Sequence, residues 1–376
     1  MRVFNCQSCG HLIFFESLQC VHCGSELAFL PETLCLNAII PSPAPTAETQ
    51  WQAFQPPLQT TNGQRYKLCG HRDDLSLCNF AIAVDDPHHL CVSCRQTSWL
   101  PDASNSANAM RWAKIEAAKR RLFYTLSRLG LGPKPYQPQP SFALLADLPG
   151  HLPIMTGHAG GTITINVVEA DDDERAKRRL ELGEPYRTLT GHLRHEVGHF
   201  FWDQLIAPGP WLEPFRTLFG DERIDYGQAL QNYYGRDLNS NDWYTNFISA
   251  YATSHPWEDW AETWSHYLHM VDLLETAASY GTCVTLPYRN TLNTQVITDP
   301  FNNPPPSFSS MLAQWVPLTL LLNSLNRGLG HNDAYPFAIS AGARSKLEFV
   351  HQVVSAQRLN TGTAQPIQSQ SAQVHT

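Results

Sequence analysis

The sequence predicts an α+β protein in which a cysteine-rich N-terminal region precedes a mainly helical domain with a small mixed β-sheet. Three observations lead to this prediction. Eight of the ten cysteines lie before residue 95, two strand-like segments lie near the middle of the chain, and helical apolar patterns recur through residues 186–357. We expect the N-terminal region to cover residues 1–100 and the helical domain to cover residues 105–357. Residues 358–376, rich in Gln, Ser and Thr, are expected to form a disordered tail.

The first four cysteines form two Cys-x2-Cys pairs, Cys6 with Cys9 and Cys20 with Cys23. Each pair makes a tight turn in which two thiolates face one ion, so two pairs complete a tetrahedral four-cysteine site. A glycine follows the second cysteine of each pair and helps the backbone to turn. The apolar residues 12–15 between the pairs are expected to form a strand, and the whole pattern is typical of a zinc ribbon.

A second cysteine set follows, in which only the last two members form a Cys-x2-Cys pair. Its members are Cys69, Cys78, Cys91 and Cys94. We expect a second four-cysteine zinc site here, although one of three nearby histidines could replace a thiolate. These histidines are His71, His88 and His89. Closed sites of this kind stabilise small domains and have no open position for chemistry, so both sets are interpreted as structural.

Charge and composition disfavour several classes of function. The formal net charge is −8, and residues 1–100 contain five basic against eight acidic side chains, the wrong balance for a phosphate-binding surface. Contact with a protein partner or simple structural support, and not nucleic-acid binding, is therefore expected of the zinc ribbons. The sequence lacks the roughly 18–20 consecutive apolar residues that span a bilayer and lacks the apolar core of a secretory signal. These features indicate a cytoplasmic protein whose cysteines are reduced or metal-bound.

The remaining elements follow from apolar periodicity and from breaking residues. Residues 41–64, rich in Pro, Thr and Gln, are expected to be a linker or long loop between the two cysteine sets. A long helix is predicted over residues 107–129, and strands are predicted over Ser141–Leu145 and residues 161–168. The further predicted helices are 186–206, 214–234, 242–252, Pro256–Ser279, 310–325 and 344–357.

One predicted helix contains the stretch His195-Glu196-Val197-Gly198-His199. Two histidines four positions apart lie one helical turn from each other, so both imidazoles can bind one metal ion. The glutamate between them lies near that ion without having to bind it, which suits a zinc-bound water with Glu196 as general base. Because the chain contains 16 histidines, such a motif also arises by chance, and the interpretation depends on a third ligand.

A catalytic zinc usually has three protein ligands and an open position. A third histidine further along the same helix is excluded, because the positions that this pattern requires hold Trp202 and Leu205. The alternative is an acid on a later helix, and Glu258 near the start of Pro256–Ser279 is the candidate. Glu262, four residues later on the same face, is placed to accept a hydrogen bond from a ligand histidine. An acidic first turn favoured by the helix dipole is the competing explanation of this pair.

Other residues compete for the ligand role. The competing acids are Asp203, Asp221, Glu222 and Asp225. Asp203 is expected to be a cap or a solvent-facing residue, while the other three either form ion pairs around Arg223 or line a substrate cleft. His269 lies about 16 Å along the helix axis from Glu258 and cannot share its ion, and His266 is also too far.

Hydrolysis through a tetrahedral intermediate also needs a hydrogen-bond donor to the developing oxyanion. Tyr251 lies seven residues before Glu258 and is a candidate for this role. A packed aromatic side chain is the alternative explanation, since the chain contains 13 tyrosines.

With these residues in place, the chain resembles the zincin metallopeptidases of the glutamate-ligand type, which have HExxH on one helix and a glutamate on a later one. The roles that this resemblance implies are zinc ligands for His195, His199 and Glu258, general base for Glu196, support of a ligand for Glu262, and oxyanion donor for Tyr251. The cysteine pairs add a similarity to a bacterial family of zinc-binding metallopeptidases with an N-terminal zinc ribbon, over most of residues 1–357. One departure is the long separation of 59 positions between His199 and Glu258.

The resemblance implies a zincin-like metallopeptidase domain after the zinc-ribbon region. Its small mixed sheet would have residues 161–168 as the edge strand over the cleft, where an extended peptide or protein substrate can pair. The implied function is zinc-dependent hydrolysis of peptide bonds, with one catalytic and two structural zinc ions. Two alternatives stay open: a non-catalytic adaptor protein with a structural HExxH site, and a hydrolase of non-peptide amides. The intact Glu196 argues against the adaptor, since a purely structural site does not need it.

Overall fold

The computed structural model describes residues 1–42, 50–53, 64–72, 76–134, 137–175, 177, 188–236, 242–288 and 291–360. In this part of the chain a region of short strands is followed by a mainly helical domain with a four-stranded sheet. The α+β class predicted from the sequence is therefore confirmed.

The N-terminal region is built from short antiparallel strands. These are β1 Phe4–Asn5, β2 Leu12–Ile13, β3 Leu27–Leu30, β4 Cys35–Ser42, β5 Gln50–Ala53, β6 Arg65–Leu68 and β7 Ala81–Ala83. β1 pairs with β2, and β3 to β7 form a five-stranded sheet in chain order. Phe29 of β3 also bridges to Phe80, next to β7, so the sheet curls until its two ends meet.

Part of the expected linker is a strand. Within residues 41–64, β4 continues to Ser42 and β5 pairs with both β4 and β6. Residues 43–49 and 54–63 lie outside the described residues. The local composition does not reveal β5, because its neighbours in the sheet stabilise it more than its own propensity does. The strand expected over residues 12–15 shortens to β2.

The second sheet is small and mixed, as predicted. Its strands are β8 Thr97–Trp99, β9 Ser141–Leu145, β10 Gly157–Ala159 and β11 Thr162–Asn166, in the order β10-β11-β9-β8. β8 and β11 run parallel to β9, and β10 runs antiparallel to β11. The expectation that residues 161–168 form the edge strand is wrong. Gly160 and Gly161 have positive φ angles of 55° and 82° and turn the chain, so that β10 pairs outside β11.

Seven helices have bounds that lie within the described residues: α1 Ser106–Arg128, α2 Leu189–Leu205, α3 Leu212–Phe219, α4 Tyr226–Tyr234, α5 Pro256–Ser279, α6 Phe308–Gly328 and α7 Ala341–Asn360. A hairpin that the sequence did not predict, β12 Cys283–Tyr288 with β13 Thr291–Val296, lies between α5 and α6. None of the helices within the described residues is long and apolar enough to cross a bilayer.

Three helix predictions need correction. The helix expected over residues 214–234 is two helices, because Gly220 has a φ angle of 106° that interrupts the helical path. The helix expected over 242–252 forms only the short 3₁₀ turns Asp242–Thr245 and Tyr251–Thr253. α7 continues past residue 358 to Asn360, while the remainder of the expected tail, 361–376, lies outside the described residues.

Two helices connect the parts of the fold. α5 lies at the centre of the helical domain, where Trp260 and Trp264 are fully buried. α1 belongs to two cores, because Leu122 packs in the core of the helical domain while Phe123 and Tyr124 pack among the aromatic residues of the N-terminal region. The cysteine-rich region is therefore packed directly against the helical domain through α1.

A buried ion pair holds α7 against the start of α5. Lys346 Nζ lies 2.5 Å from Asp259 Oδ2, with 6% and 0% of the two side chains exposed. Lys346 also donates a hydrogen bond to the Asn246 carbonyl oxygen at 2.9 Å. Burial raises the pKa of Asp259 to about 7, although Lys346 acts in the opposite direction. Because Asp259 follows Glu258, this pair helps to place the candidate ligand.

Replacing Lys346 by methionine should lower the free energy of unfolding by about 2–4 kcal/mol, because Asp259 loses its buried cation and can relieve only part of the cost by protonation. Urea denaturation at pH 8 measures the change. Arg327→Met is the control: it breaks the Arg327–Asp333 pair, in which the arginine side chain is 67% exposed, and should lower the free energy of unfolding much less, because water screens an exposed pair. An equal decrease in the free energy of unfolding in both variants would contradict the role assigned to Lys346.

Candidate metal centre

Two helices cross closely at the HExxH motif. α2 begins after Thr188, whose hydroxyl oxygen accepts a hydrogen bond from the Gly191 amide at 3.0 Å. A Cβ atom at Gly198 of α2 would lie only 3.1 Å from Ala261 Cα of α5. Trp260 Nε1 donates to the Gly198 carbonyl oxygen at 2.9 Å across the same crossing. Small residues, Gly198 and Ala261, therefore set the separation of the two helices.

This crossing brings together the three candidate ligands. His195 Nε2 lies 2.9 Å from Glu258 Oε2, and His199 Nε2 lies 3.5 Å from Glu258 Oε1. All three side chains are buried, and their ligating atoms lie within 4.8 Å of one another. Two imidazole nitrogens and one carboxylate oxygen suit zinc, and a set of three leaves a coordination position open. We call these three residues the His-His-Glu cluster.

Glu262 supports His195 from outside the His-His-Glu cluster. Its Oε1 lies 2.7 Å from His195 Nδ1, and its Oε2 accepts a hydrogen bond from Ser249 Oγ at 2.6 Å. A proton on Nδ1 that points to Glu262 leaves Nε2 free to bind a metal ion. Burial raises the pKa of Glu262, but the contacts with His195 outweigh burial and lower it, so Glu262 stays an ionised acceptor.

Opposite charges keep Glu258 ionised. Burial raises its pKa, but the charge of His199 and the hydrogen bond from His195 outweigh burial and hold the pKa well below its ordinary value. Burial lowers the pKa of His195, while the contacts with Glu258 and Glu262 raise it well above its ordinary value. A proton on His195 therefore compensates the buried carboxylates when no metal is present, and metal binding must release it.

Glu196 is buried beside the His-His-Glu cluster without belonging to it. Its Oε1 lies 3.2 Å from His192 Nε2, and His192 Nδ1 lies 3.4 Å from Glu169 Oε2. Burial raises the pKa of Glu196, but His192 and the charge of His195 outweigh burial and lower it. Burial lowers the pKa of His192, yet its two carboxylate partners raise it to about 9. At neutral pH Glu196 is thus ionised, as a general base must be.

Two tyrosines lie next to the His-His-Glu cluster. The ring centroid of Tyr251 is 6.0 Å from that of His195. Tyr226, the first residue of α4, donates from its hydroxyl to Glu258 Oε1 at 2.8 Å. Burial and the charge of Glu258 raise the pKa of both phenols, so both keep their protons at neutral pH and can donate hydrogen bonds. The sequence indicated Tyr251 for this position and missed Tyr226.

The acidic residues between α3 and α4 have structural partners. Asp221 pairs with Arg223 at 2.8 Å, and Glu222 pairs with Arg216 at 2.5 Å. Asp225 accepts a hydrogen bond from a backbone amide in the first turn of α4. These contacts match the ion-pair interpretation, although Arg223 pairs only with the first of the three acids and Arg216 was not anticipated.

The other competing residues also lie apart from the His-His-Glu cluster. Asp203 is not among its ligating groups, and burial raises the pKa of this carboxyl. His266 Nδ1 lies 2.7 Å from the Tyr335 hydroxyl, and His269 contacts Arg194. His266 and His269 therefore have partners inside the helical domain and are not among the ligating groups, in agreement with the distance expected from the sequence.

Both cysteine sets come together as expected. Each offers four Sγ atoms within 4.8 Å of one another; the second set is fully buried, and the first has two exposed members. The Sγ–Sγ distances include 3.8 Å for Cys6–Cys23, 3.7 Å for Cys9–Cys20 and 3.7 Å for Cys78–Cys91. The three histidines near the second set do not belong to its ligating group, so thiolates alone form the site.

Four residues of the site were not found from the sequence: Glu169, His192, Tyr226 and Ser249. His192 had a usable signal, because it precedes Glu196 by one helical turn. The other three lie on separate elements, and their spacing to the HExxH motif has no periodic relation to it.

The four-cysteine sites and the His-His-Glu cluster define a zinc-binding protein with a ribbon region and a helical domain. Comparison with known proteins leads to the same class. Residues 108–353 match the family model described as "putative zinc-binding metallo-peptidase", and residues 3–105 match a zinc-ribbon domain. The chain belongs to this metallopeptidase family, which confirms the resemblance stated from the motifs.

Similar proteins occur in mycobacteria. Uncharacterized proteins of Mycobacterium bovis and Mycobacterium tuberculosis are 38% identical to the chain over 359 residues, which cover 94% of this chain and 95% of theirs. The similarity therefore spans both the ribbon region and the helical domain. No solved structure matches the chain.

Gly198→Ala should lower the free energy of unfolding by about 1–3 kcal/mol and weaken zinc binding at the His-His-Glu cluster, because the new methyl group meets the backbone of α5. Urea denaturation and zinc titration measure the two effects. The control is Gly328→Ala, since a Cβ atom there meets nothing within 4 Å. A Gly198→Ala variant as stable as this control would show that the crossing tolerates a wider separation.

Glu262→Gln should weaken zinc binding at the His-His-Glu cluster by about 10- to 100-fold, because the amide supports the required tautomer of His195 less strongly. Competition with a chelator measures the affinity. Glu213→Gln is the control, since the Glu213 side chain is 80% exposed. Equal zinc affinities in both variants would argue against a supporting role for Glu262.

Proposed function

We propose that the chain is a zinc-dependent peptidase that hydrolyses peptide bonds with Glu196 as general base. The position of Glu196 carries this proposal: an ionised, buried carboxylate lies beside the His-His-Glu cluster and is not one of its ligands. A structural metal site does not need such a group. Each cysteine set, by contrast, supplies four thiolates, the donor number of a closed site.

Zinc at the His-His-Glu cluster would polarise the scissile carbonyl and lower the pKa of a water molecule. Glu196 takes a proton from this water as the water oxygen adds to the carbonyl carbon. Glu196 then passes the proton to the amine nitrogen as the C–N bond breaks. Tyr251 and Tyr226 donate hydrogen bonds to the oxyanion, and Tyr226 exchanges its bond to Glu258 for one to the substrate.

The proposed substrate is an extended peptide or protein segment. β10 is an edge strand of the mixed sheet, and the ring of its residue His158 stacks on His199 at a centroid distance of 6.4 Å. A strand that pairs with β10 would therefore pass the His-His-Glu cluster. Leu148, Leu152 and Met155 lie just before β10 and are 62%, 90% and 80% exposed, which favours substrates with apolar side chains.

The proposal includes three zinc ions per chain, one at the His-His-Glu cluster and one in each cysteine set. It also includes a protein partner for the first ribbon, where Leu12, Phe14 and Val21 are exposed. Isolated apolar side chains on a surface are common, but three of them on one small module favour protein contact.

Glu196→Gln should keep three zinc ions per chain and lower hydrolysis by at least about 100-fold, because the proton acceptor is lost. Zinc-loaded protein is incubated with a library of peptides from a proteome digest, and new termini are read by mass spectrometry. Metal analysis of the same samples counts the zinc ions. Glu213→Gln serves as the matched control and should cleave like the wild type.

Full activity of Glu196→Gln would exclude this mechanism. A wild-type protein that binds three zinc ions and cleaves no peptide would favour the adaptor interpretation. Cleavage of non-peptide amides alone would favour the amidohydrolase.

A further inference from the structure

Two buried carboxylates, Glu196 and Glu169, lie on either side of the partly buried His192. Glu196 Oε1 lies 3.2 Å from His192 Nε2, and His192 Nδ1 lies 3.4 Å from Glu169 Oε2. Glu169 is 1% exposed, Glu196 is 5% exposed, and the His192 side chain is 17% exposed. The imidazole of His192 thus lies between two carboxylates in a largely dry environment.

The outer carboxylate is placed by a rigid turn. Glu169 belongs to the 3₁₀ turn Val167–Ala170 directly after β11, and the side chain of Asn166 caps this turn by accepting from the Val168 amide at 3.2 Å. The Glu169 carbonyl oxygen accepts a hydrogen bond from Arg175 at 2.7 Å. The backbone around Glu169 is therefore held from outside, while its carboxylate points into the interior towards α2.

Burying a second carboxylate beside the site costs free energy unless it has a partner. Neither ring nitrogen of His192 belongs to the His-His-Glu cluster, so the residue is not a metal ligand. Instead, one ring nitrogen of His192 contacts Glu169 in the turn after β11, and the other contacts Glu196, the candidate general base. A side chain held at both ends in this way restricts the rotation of Glu196, which otherwise has several rotamers on a helix surface.

We propose that His192, fixed by Glu169, is a positioning residue that orients the Glu196 carboxylate for proton transfer; this role rests on the proposed peptidase function. By holding Oε1, His192 sets the direction of Oε2, the oxygen left for the proton of the attacking water. Small displacements of a reacting group lower rates strongly, so the supporting contact matters although it touches neither metal nor substrate.

His192→Leu removes the contacts of the imidazole with both carboxylates, whereas the side-chain amide of His192→Gln can still donate to Glu196. In zinc-loaded protein, with a peptide that the wild type cleaves, His192→Leu should lower kcat by about 10- to 100-fold with KM changed less than about 2-fold. His192→Gln should have a kcat close to that of the wild type. Glu169→Gln should lower kcat less than His192→Leu does, again with little change in KM. Rates are expressed per zinc at the His-His-Glu cluster, and exposed His331→Leu is the control.

A second measurement does not depend on activity. In zinc-loaded protein with ¹⁵N-labelled histidine, the two ring nitrogens of His192 should both carry protons at neutral pH. Their NMR signals should shift in Glu196→Gln and in Glu169→Gln, because each substitution removes one carboxylate partner. Glu213→Gln should leave them unchanged.

The outcomes separate this inference from the proposed function. Peptide cleavage by the wild type, with His192 signals that do not respond to Glu196→Gln or with full kcat in His192→Leu, would overturn the positioning role alone. Should the wild type cleave no peptide while the His192 signals respond as expected, the peptidase function would be overturned and the positioning role with it. Recovery by His192→Gln, together with responsive signals, supports both.

Discussion

The close crossing of α2 and α5 is the contact on which the metal centre depends. α2 supplies two imidazoles one turn apart, but the third ligand must arrive from another helix. Glu258 reaches His195 and His199 because Gly198 and Ala261 let the two backbones approach. Both small residues lie within one turn of a ligand, so the backbone contact and the ligand geometry change together. Any increase in the separation of the helices would first draw Glu258 away from the histidines.

Buried charges fix the orientation of α5 in the helical domain. The helix is buried along most of its length and carries three acidic side chains in its first two turns, each matched by a partner from another element. Glu258 meets the histidines of α2, Asp259 meets Lys346 of α7, and Glu262 meets Ser249 and a histidine. Because an unpaired buried charge costs several kcal/mol, these partners fix the rotation of α5 about its axis. The same principle places His192 between two carboxylates near the HExxH motif.

The sequence correctly predicted those elements that short-range sequence patterns define. The bounds of α5 agree with the prediction, because proline at its start and a long apolar pattern mark it clearly. The prediction of one helix over residues 214–234 was wrong at Gly220. The positive φ angle of this residue cannot be recognised from the apolar periodicity. β5 and the hairpin β12–β13 were missed for a different reason. Their stability comes from neighbouring strands and packing, which local propensity does not contain.

By itself the sequence determined the ligand pairs that lie within one turn or one knuckle: His195 with His199, and the Cys-x2-Cys pairs. These pairs depend only on backbone geometry over five residues or fewer, so spacing is sufficient to recognise them. The sequence also indicated Glu258 as the best candidate for the third ligand among the acidic residues. Only the tertiary structure placed Glu258 against His195, which lies 63 positions away, made β10 the edge strand and joined His192 to Glu169. Contacts between separate elements depend on how helices and sheets pack, and packing is a property of the whole fold.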